Sequence, residues 1–167
     1  MSSTPSPETR TSTSPTPLPT TPPAQPSRSE LQALAAVLQA ERAAVYGYGV
    51  VGGKVGRAQR QQASSRLDWH ALNRDAVAAQ LSLAGSTPPP GPAAYALPFE
   101  VDDEASARSL AVHLEVGVAA CYADLVGAAP AARRIDAAQA LSACAVAAQR
   151  WGAVVGAFPG LPERSEG

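Results

Sequence analysis

The chain has 167 residues, room for one domain and one core, and its 13 basic and 14 acidic residues leave a formal charge of −1 with a pI near 6.1. That balance gives no basic face of the kind a phosphate backbone requires, so nucleic acid is not an expected partner. The N-terminus has neither a basic n-region nor an apolar h-region, and no apolar run is read as approaching the ~20 residues of a membrane span. The expectation is therefore a cytoplasmic protein with no membrane partner.

Residues 1–28 are dominated by Pro, Ser and Thr. They are expected to be a disordered tail, because they hold too little apolar surface to offset the entropy of ordering. No proline falls between Ser29 and Gly85, or between Phe99 and Ala129, although the chain has 16. Long alanine-rich stretches without proline, bounded by proline clusters, read as helices. Helix 1 is expected from Ser29 to about Gly52, opened by a capping box over Ser29-Glu30-Leu31-Gln32. Gly52-Gly53 and Gly56 make a turn, and helix 2 runs from about Arg57 to Ala84 with Gly85 as its C′ residue. Helix 3 opens at Asp102-Asp103-Glu104 and continues to about Ala128. Pro130 is expected at N1 of helix 4, which extends to about Val155.

The seventeen residues from Gly85 to Val101 can travel the ~36 Å length of a 24-residue helix, so helices 2 and 3 are expected to run parallel. Tyr95-Ala96-Leu97-Pro98-Phe99 would pin this crossover to the bundle. The expected fold is thus all-α: a four-helix bundle of two antiparallel hairpins joined by a long crossover. It occupies residues 29–160, with 161–167 a flexible C-terminus. Cys121 and Cys144, on helices 3 and 4, are about 7 Å out of level and are expected to stay free thiols.

Helix 1 carries the apolar stripe Leu31, Leu34, Leu38, Val45 and Tyr48, and the position it skips is Glu41. A carboxylate inside a core-facing stripe must be paired, protonated or bound to a metal. On helix 2 the stripe Ala63, Leu67, Val77 and Leu81 is completed by His70 and Arg74, with His70 level with Glu41. A second stripe on helix 2, with Trp69, Leu72, Ala76, Ala79 and Leu83, lies nearly opposite, and periodicity alone does not choose the core face. Glu115 sits at the middle of helix 3, on either a solvated edge or the core. Helix 4 is read with Ala138, Leu141, Ser142, Ala145 and Gln149 inward. Tyr46, Tyr48 and Tyr122 could supply hydroxyls, and Gly47, Gly49, Gly117 and Gly152 read as points of close helix approach.

Glu41-Arg42-Ala43-Ala44-Val45-Tyr46-Gly47-Tyr48-Gly49, His70-x-x-x-Arg74-Asp75, Tyr95-Ala96-Leu97-Pro98-Phe99, Leu114-Glu115 and Tyr122-Ala123-Asp124-Leu125-Val126 together resemble a ferritin-like domain of unknown function common in high-GC Gram-positive bacteria. The resemblance spans about Leu31 to Leu161. It implies the ferritin-like fold, whose di-metal members supply a Glu from the first and third helices and a Glu-x-x-His from each of the other two. Glu41 and Glu115 match the lone carboxylates and His70 one imidazole. Leu67 stands where a Glu should precede His70, and helix 4 offers neither ligand.

Two functions stay open on this reading. The first is a non-catalytic binding or scaffolding bundle with no cofactor, in which Glu41, His70, Arg74 and Glu115 form an internal network, Arg74 satisfying Glu41. Such a protein would dimerise through Trp69, Leu72 and Leu83. The second is a metal-binding oxidoreductase or iron-handling protein that holds iron or manganese on Glu41, His70 and Glu115.

Overall fold

In the computed structural model, which describes residues 25–92 and 95–153, four helices succeed one another: α1 (Arg28–Lys54), α2 (Arg57–Leu83), α3 (Glu104–Ala128) and α4 (Ala131–Trp151). No strand occurs among the described residues. Residues 1–24 of the expected tail, residues 154–160 of the expected bundle and the C-terminus 161–167 lie outside them.

Local chemistry sets each helix end, sometimes a residue or two from where the sequence put it. Ser27, not Ser29, caps α1: its hydroxyl accepts from the Glu30 amide at 3.1 Å, and Ser29 lies inside the helix. Gly85 leaves α2 in the left-handed region at φ 72°, and Ser86 N–H bonds back to Leu81 O at 2.9 Å, closing the expected C-terminal motif. Asp103 caps α3 in a reciprocal box with Ser106. Pro130 is the N-cap of α4 rather than its first helical residue, and its carbonyl accepts from Arg133 and Arg134. That helix stops at Trp151, short of Val155, because Gly152 turns left-handed at φ 108°. Gly152 is therefore a terminator and not a contact point.

Side α1 packs against α2 and α3, and α3 packs against α4; no Cα of α2 approaches α4 within 8 Å. Contacts between α1 and α3 descend in opposite order along the two helices, from Glu41 with Tyr122 to Tyr48 with Glu115, and just beyond α1 the Gly56 N–H donates to Glu104 at the start of α3. These helices are antiparallel, so α2 and α3 run parallel, as a full-length crossover requires. The crossover lies on α1: Arg42 Nη1 donates to Pro89 O at 2.5 Å, Gln39 Nε2 to Pro90 O at 3.2 Å, and Tyr95 stacks on Tyr46 at 5.3 Å. Val101 then enters the core, and Phe99 meets His113 of α3 edge-on.

Two apolar clusters fill the bundle, one around Leu34, Leu38, Val77, Leu81 and Leu125, the other around Val51, Val55, Leu110 and Trp151. The core face of α2 is the one with Ala63, His70, Val77 and Leu81; Leu72 and Leu83 are 72% and 89% exposed. On α4 the inward residues are Ala137, Cys144, Ala147, Ala148 and Trp151, while Ser142 and Gln149 face out, so the expected face is rotated. Alanine is apolar on every side of this helix, and its periodicity carries little information. Of the glycines, Gly47 is a true close approach: a Cβ there would stand 2.5 Å from Leu114 Cδ1, whereas nothing lies within 4 Å at Gly49 or Gly117. By length and composition α3 could cross a membrane, against the sequence expectation. Here it is the helix packed between α1 and α4, with the buried Glu115 at its centre.

Candidate functional site

Halfway along the bundle, where the two apolar clusters part, three fully buried ionisable side chains meet: Glu41 of α1, His70 of α2 and Glu115 of α3. His70 Nδ1 lies 2.6 Å from Glu41 Oε2, and His70 Nε2 lies 3.4 Å from Glu115 Oε1. The level pairing of His70 with Glu41 expected from the hairpin is therefore realised, and Glu115 faces the core rather than an edge.

Arg74 does not join them. It is one turn further along α2, on a half-exposed face, and pairs with its neighbour Asp75 at 2.8 Å. The guanidinium in the site is that of Arg66, one turn before His70. Its Nε donates to Glu115 Oε1 at 2.7 Å and its Nη2 to Glu115 Oε2 at 2.8 Å, a two-pronged grip on one carboxylate. Arg66 lies 4.1 Å over the ring of Trp69, whose edge meets His70. Trp69 is thus half-buried in support of the site and is not part of an open outer stripe.

Two tyrosines complete the arrangement reciprocally. Tyr122 of α3 donates to Glu41 Oε1 at 2.7 Å, and Tyr48 of α1 donates to Glu115 Oε1 at 2.5 Å. Each tyrosine follows its own helix's glutamate by seven residues, two helical turns, and serves the other helix's glutamate. This repeated Glu-x6-Tyr spacing was present in the sequence as a signal. A shift of 74 positions carries Glu41, Tyr48 and His70 onto Glu115, Tyr122 and Cys144. Tyr46 has no such role and stacks in the crossover.

Charge explains the set. Burial works against an imidazolium at His70, but hydrogen bonds and charges from Glu115 and Glu41 outweigh it and raise its pKa. Burial likewise opposes ionisation of Glu115, and His70 and Arg66 overcome it, holding the carboxyl below its ordinary range. The network thus favours the protonated form of His70 and the ionised form of Glu115, each supported by the other and by its remaining partners. Burial, followed by the adjacent carboxylate, pushes both phenols far upward, so they remain donors. Burial also raises the Cys144 thiol, which receives Arg66 Nη2 at 3.8 Å. Cys121 and Cys144 are both free.

Among the described residues no group of three or more His, Cys, Asp or Glu side chains is arranged to hold a metal ion. A di-iron set does not fit: Leu67 stands where a carboxylate would, Asp136, the acidic residue of α4, is exposed beside Arg133 and Glu30 at one end of the bundle, and Arg66 puts a fixed positive charge against Glu115.

A family model described as Domain of unknown function (DUF4439) matches residues 33–163. A solved structure of a conserved hypothetical protein from Mycobacterium tuberculosis is 35% identical, with a TM-score of 0.71, covering 74% of this chain and 94% of that one. Another, of ferritin-like, diiron-carboxylate proteins from Bacillus anthracis str. Ames, is 16% identical, with a TM-score of 0.59 over 75% and 94% of the two chains, a likeness of fold alone. Among curated proteins none matches.

Proposed function

The chain belongs to this family of domains of unknown function, built on a ferritin-like fold, and from that premise we propose a non-catalytic binding or scaffolding protein whose buried waist network is structural. The observation that carries this reading is the complete mutual pairing of Glu41, His70, Glu115 and Arg66, with both tyrosine hydroxyls turned onto the carboxylates. A site organised for chemistry leaves an atom open to a reactant, and here the buried carboxylate oxygens and imidazole nitrogens are turned onto one another and onto Arg66 and the tyrosines. The Mycobacterium tuberculosis relative accords with a family of high-GC Gram-positive bacteria.

The competing reading, an iron- or manganese-binding oxidoreductase or iron-handling protein on Glu41, His70 and Glu115, draws on the fold of the diiron-carboxylate structure. Elemental analysis separates the two. Protein purified without chelator from metal-replete medium is expected to carry far less than one iron, manganese or zinc per chain. A stoichiometric ion that Glu41→Ala removes would establish the metal reading instead.

Self-association belongs to the same proposal. Leu72, Ala76, Ala79 and Leu83 repeat at spacings of four, three and four along an exposed face of α2, the pattern of a helix-packing seam. Sedimentation at micromolar concentration is expected to give a dimer that Leu72→Glu with Leu83→Glu dissociates; a monomeric wild type rejects it.

A further inference from the structure

The outer side of α3 carries apolar surface that the described residues leave partly open. This helix is apolar enough to pass for a membrane span, yet only 39% of its apolar window is buried. Ala105, Ser109, Val112 and Val116 follow one another at spacings of four, three and four, which places them on one stripe of the helix. Val116 in that stripe is 46% exposed. At the end of the bundle where α3 begins and α4 stops, Ala105, Arg108, Ser109 and Val112 form one wall of a groove of about 550 Å³, and Trp151, Gly152 and Ala153 form the other.

Three observations say what belongs there. Gly152 turns left-handed at φ 108° and Ala153 already lines the groove, so the residues that follow start inside it. The family match continues past Trp151, the end of α4, to residue 163, so the stretch beyond the helix is part of the domain's pattern. Val154, Val155, Ala157, Phe158 and Leu161 make its first part mostly apolar, whereas Glu163 to Gly167 hold no large apolar side chain. Finally, Trp151 is 4% exposed and its Nε1 is buried without a hydrogen-bond partner among the described residues. A buried indole N–H calls for an acceptor. Reach is sufficient, since Val154 to Leu161 can extend up to about 26 Å while Ala105 to Val116 spans about 16 Å of helix axis.

We infer that residues 154–163 fold back along this stripe of α3, with Phe158 and Leu161 seated against Val112 and Val116 and a carbonyl of the segment accepting from Trp151 Nε1. The chain thus covers its most apolar helix with its own C-terminal segment, and neither a bilayer nor a second copy is needed there. The larger groove of about 780 Å³ between α2 and α4, walled by Ser65, Arg66, Val146 and Arg150, stays open.

The chain has two phenylalanines and two tryptophans, so the Phe158 ring and the Trp151 indole can be resolved individually by NMR. In the full chain, nuclear Overhauser contacts are expected from the Phe158 ring to the Val112 and Val116 methyls. In Phe158→Ser with Leu161→Ser, folded by circular dichroism, the Trp151 indole N–H is expected to exchange with solvent at least about tenfold faster, with that of Trp69 unchanged. The inference is overturned if Phe158 contacts no residue of α3, if it contacts the α2–α4 groove instead, or if its contacts arise only between differently labelled copies in a mixed sample. It is equally overturned if phosphatidylglycerol vesicles broaden the Val112 and Val116 signals of the intact protein, or if indole exchange is unaltered in the folded double variant. Should that variant fail to fold, the contacts of Phe158 in wild type decide the matter alone.

Discussion

Arg66 grips Glu115 at the waist with the same fork that Arg133 uses on Glu30 at one end of the bundle, where Nε and Nη2 reach the two carboxylate oxygens at 2.6 and 3.1 Å. The surroundings differ. At the waist the carboxylate is buried, meets a tyrosine and an imidazole as well, and its arginine is 14% exposed. At the end the carboxylate is also buried, in the first turn of α1, but Arg133 is 35% exposed and among the described residues no other side chain bonds the Glu30 carboxylate. Identical chemistry should therefore contribute unequally, because water replaces a lost partner at the end and cannot do so at the waist.

The largest expected effect is at the waist. Arg66→Ala leaves Glu115 buried without its main counter-charge and should lower stability by about 3–5 kcal/mol in urea denaturation. A loss under 1 kcal/mol would show that the carboxylate simply protonates or hydrates, and the contrast with the end would collapse. Tyr48→Phe and Tyr122→Phe should each cost about 1.5–3 kcal/mol, since each removes a hydrogen bond to a buried charged group. The double variant should be non-additive, because both hydroxyls act on a single coupled set of charges. Strict additivity would break the network into two independent pairs.

Changing pH sharpens the comparison without mutation. The folded pKa of His70 is raised above 6.5, so its contribution is complete below about 6.5 and is lost as pH climbs through the folded value. Glu115 is lowered from 4.5, so its contribution is present above about 4.5 and is lost as pH falls through its folded value. Stability should be greatest between those limits and decline on the alkaline side, and His70→Gln should abolish that decline while Arg133→Ala leaves it intact. A wild-type denaturation midpoint that rises from pH 6.5 to 9 would contradict an imidazolium at the waist. Arg133→Ala should itself cost about 1 kcal/mol or less, a solvent-screened loss. Smallest of all, Arg74→Ala should leave the midpoint unchanged, since its pairing with Asp75 is exposed.

Arg74 shows how far reading the chain alone could go. Arg66 and Arg74 flank His70 by one turn on either side, each about 40° from it around the helix and in opposite senses. Linear spacing cannot rank them; the assembled bundle does, by bringing Arg66 to Glu115 of α3 and leaving Arg74 to its neighbour Asp75. Glu115 posed the same difficulty, for its apolar neighbours Leu114 and Val116 leave its outlook undecided. The reciprocal tyrosines were legible in principle from the repeated seven-residue spacing. Tyr46, two residues from Tyr48, offered an equal hydroxyl until the stack with Tyr95 removed it.

Proline exclusion, the terminating glycine at 85 and the length of the connection between the hairpins were enough to determine four helices in the order up, down, down, up, because local backbone geometry and chain reach are written residue by residue. A lone glutamate and histidine within apolar stripes likewise announced a buried polar centre. Which arginine neutralises that centre, which way alanine-rich α4 turns, and that α2 and α4 stand apart over an open groove were decided only when helices from distant parts of the chain packed together. Those outcomes depend on angles between helices, fixed by interlocking side chains across the bundle and carried by no single segment of it.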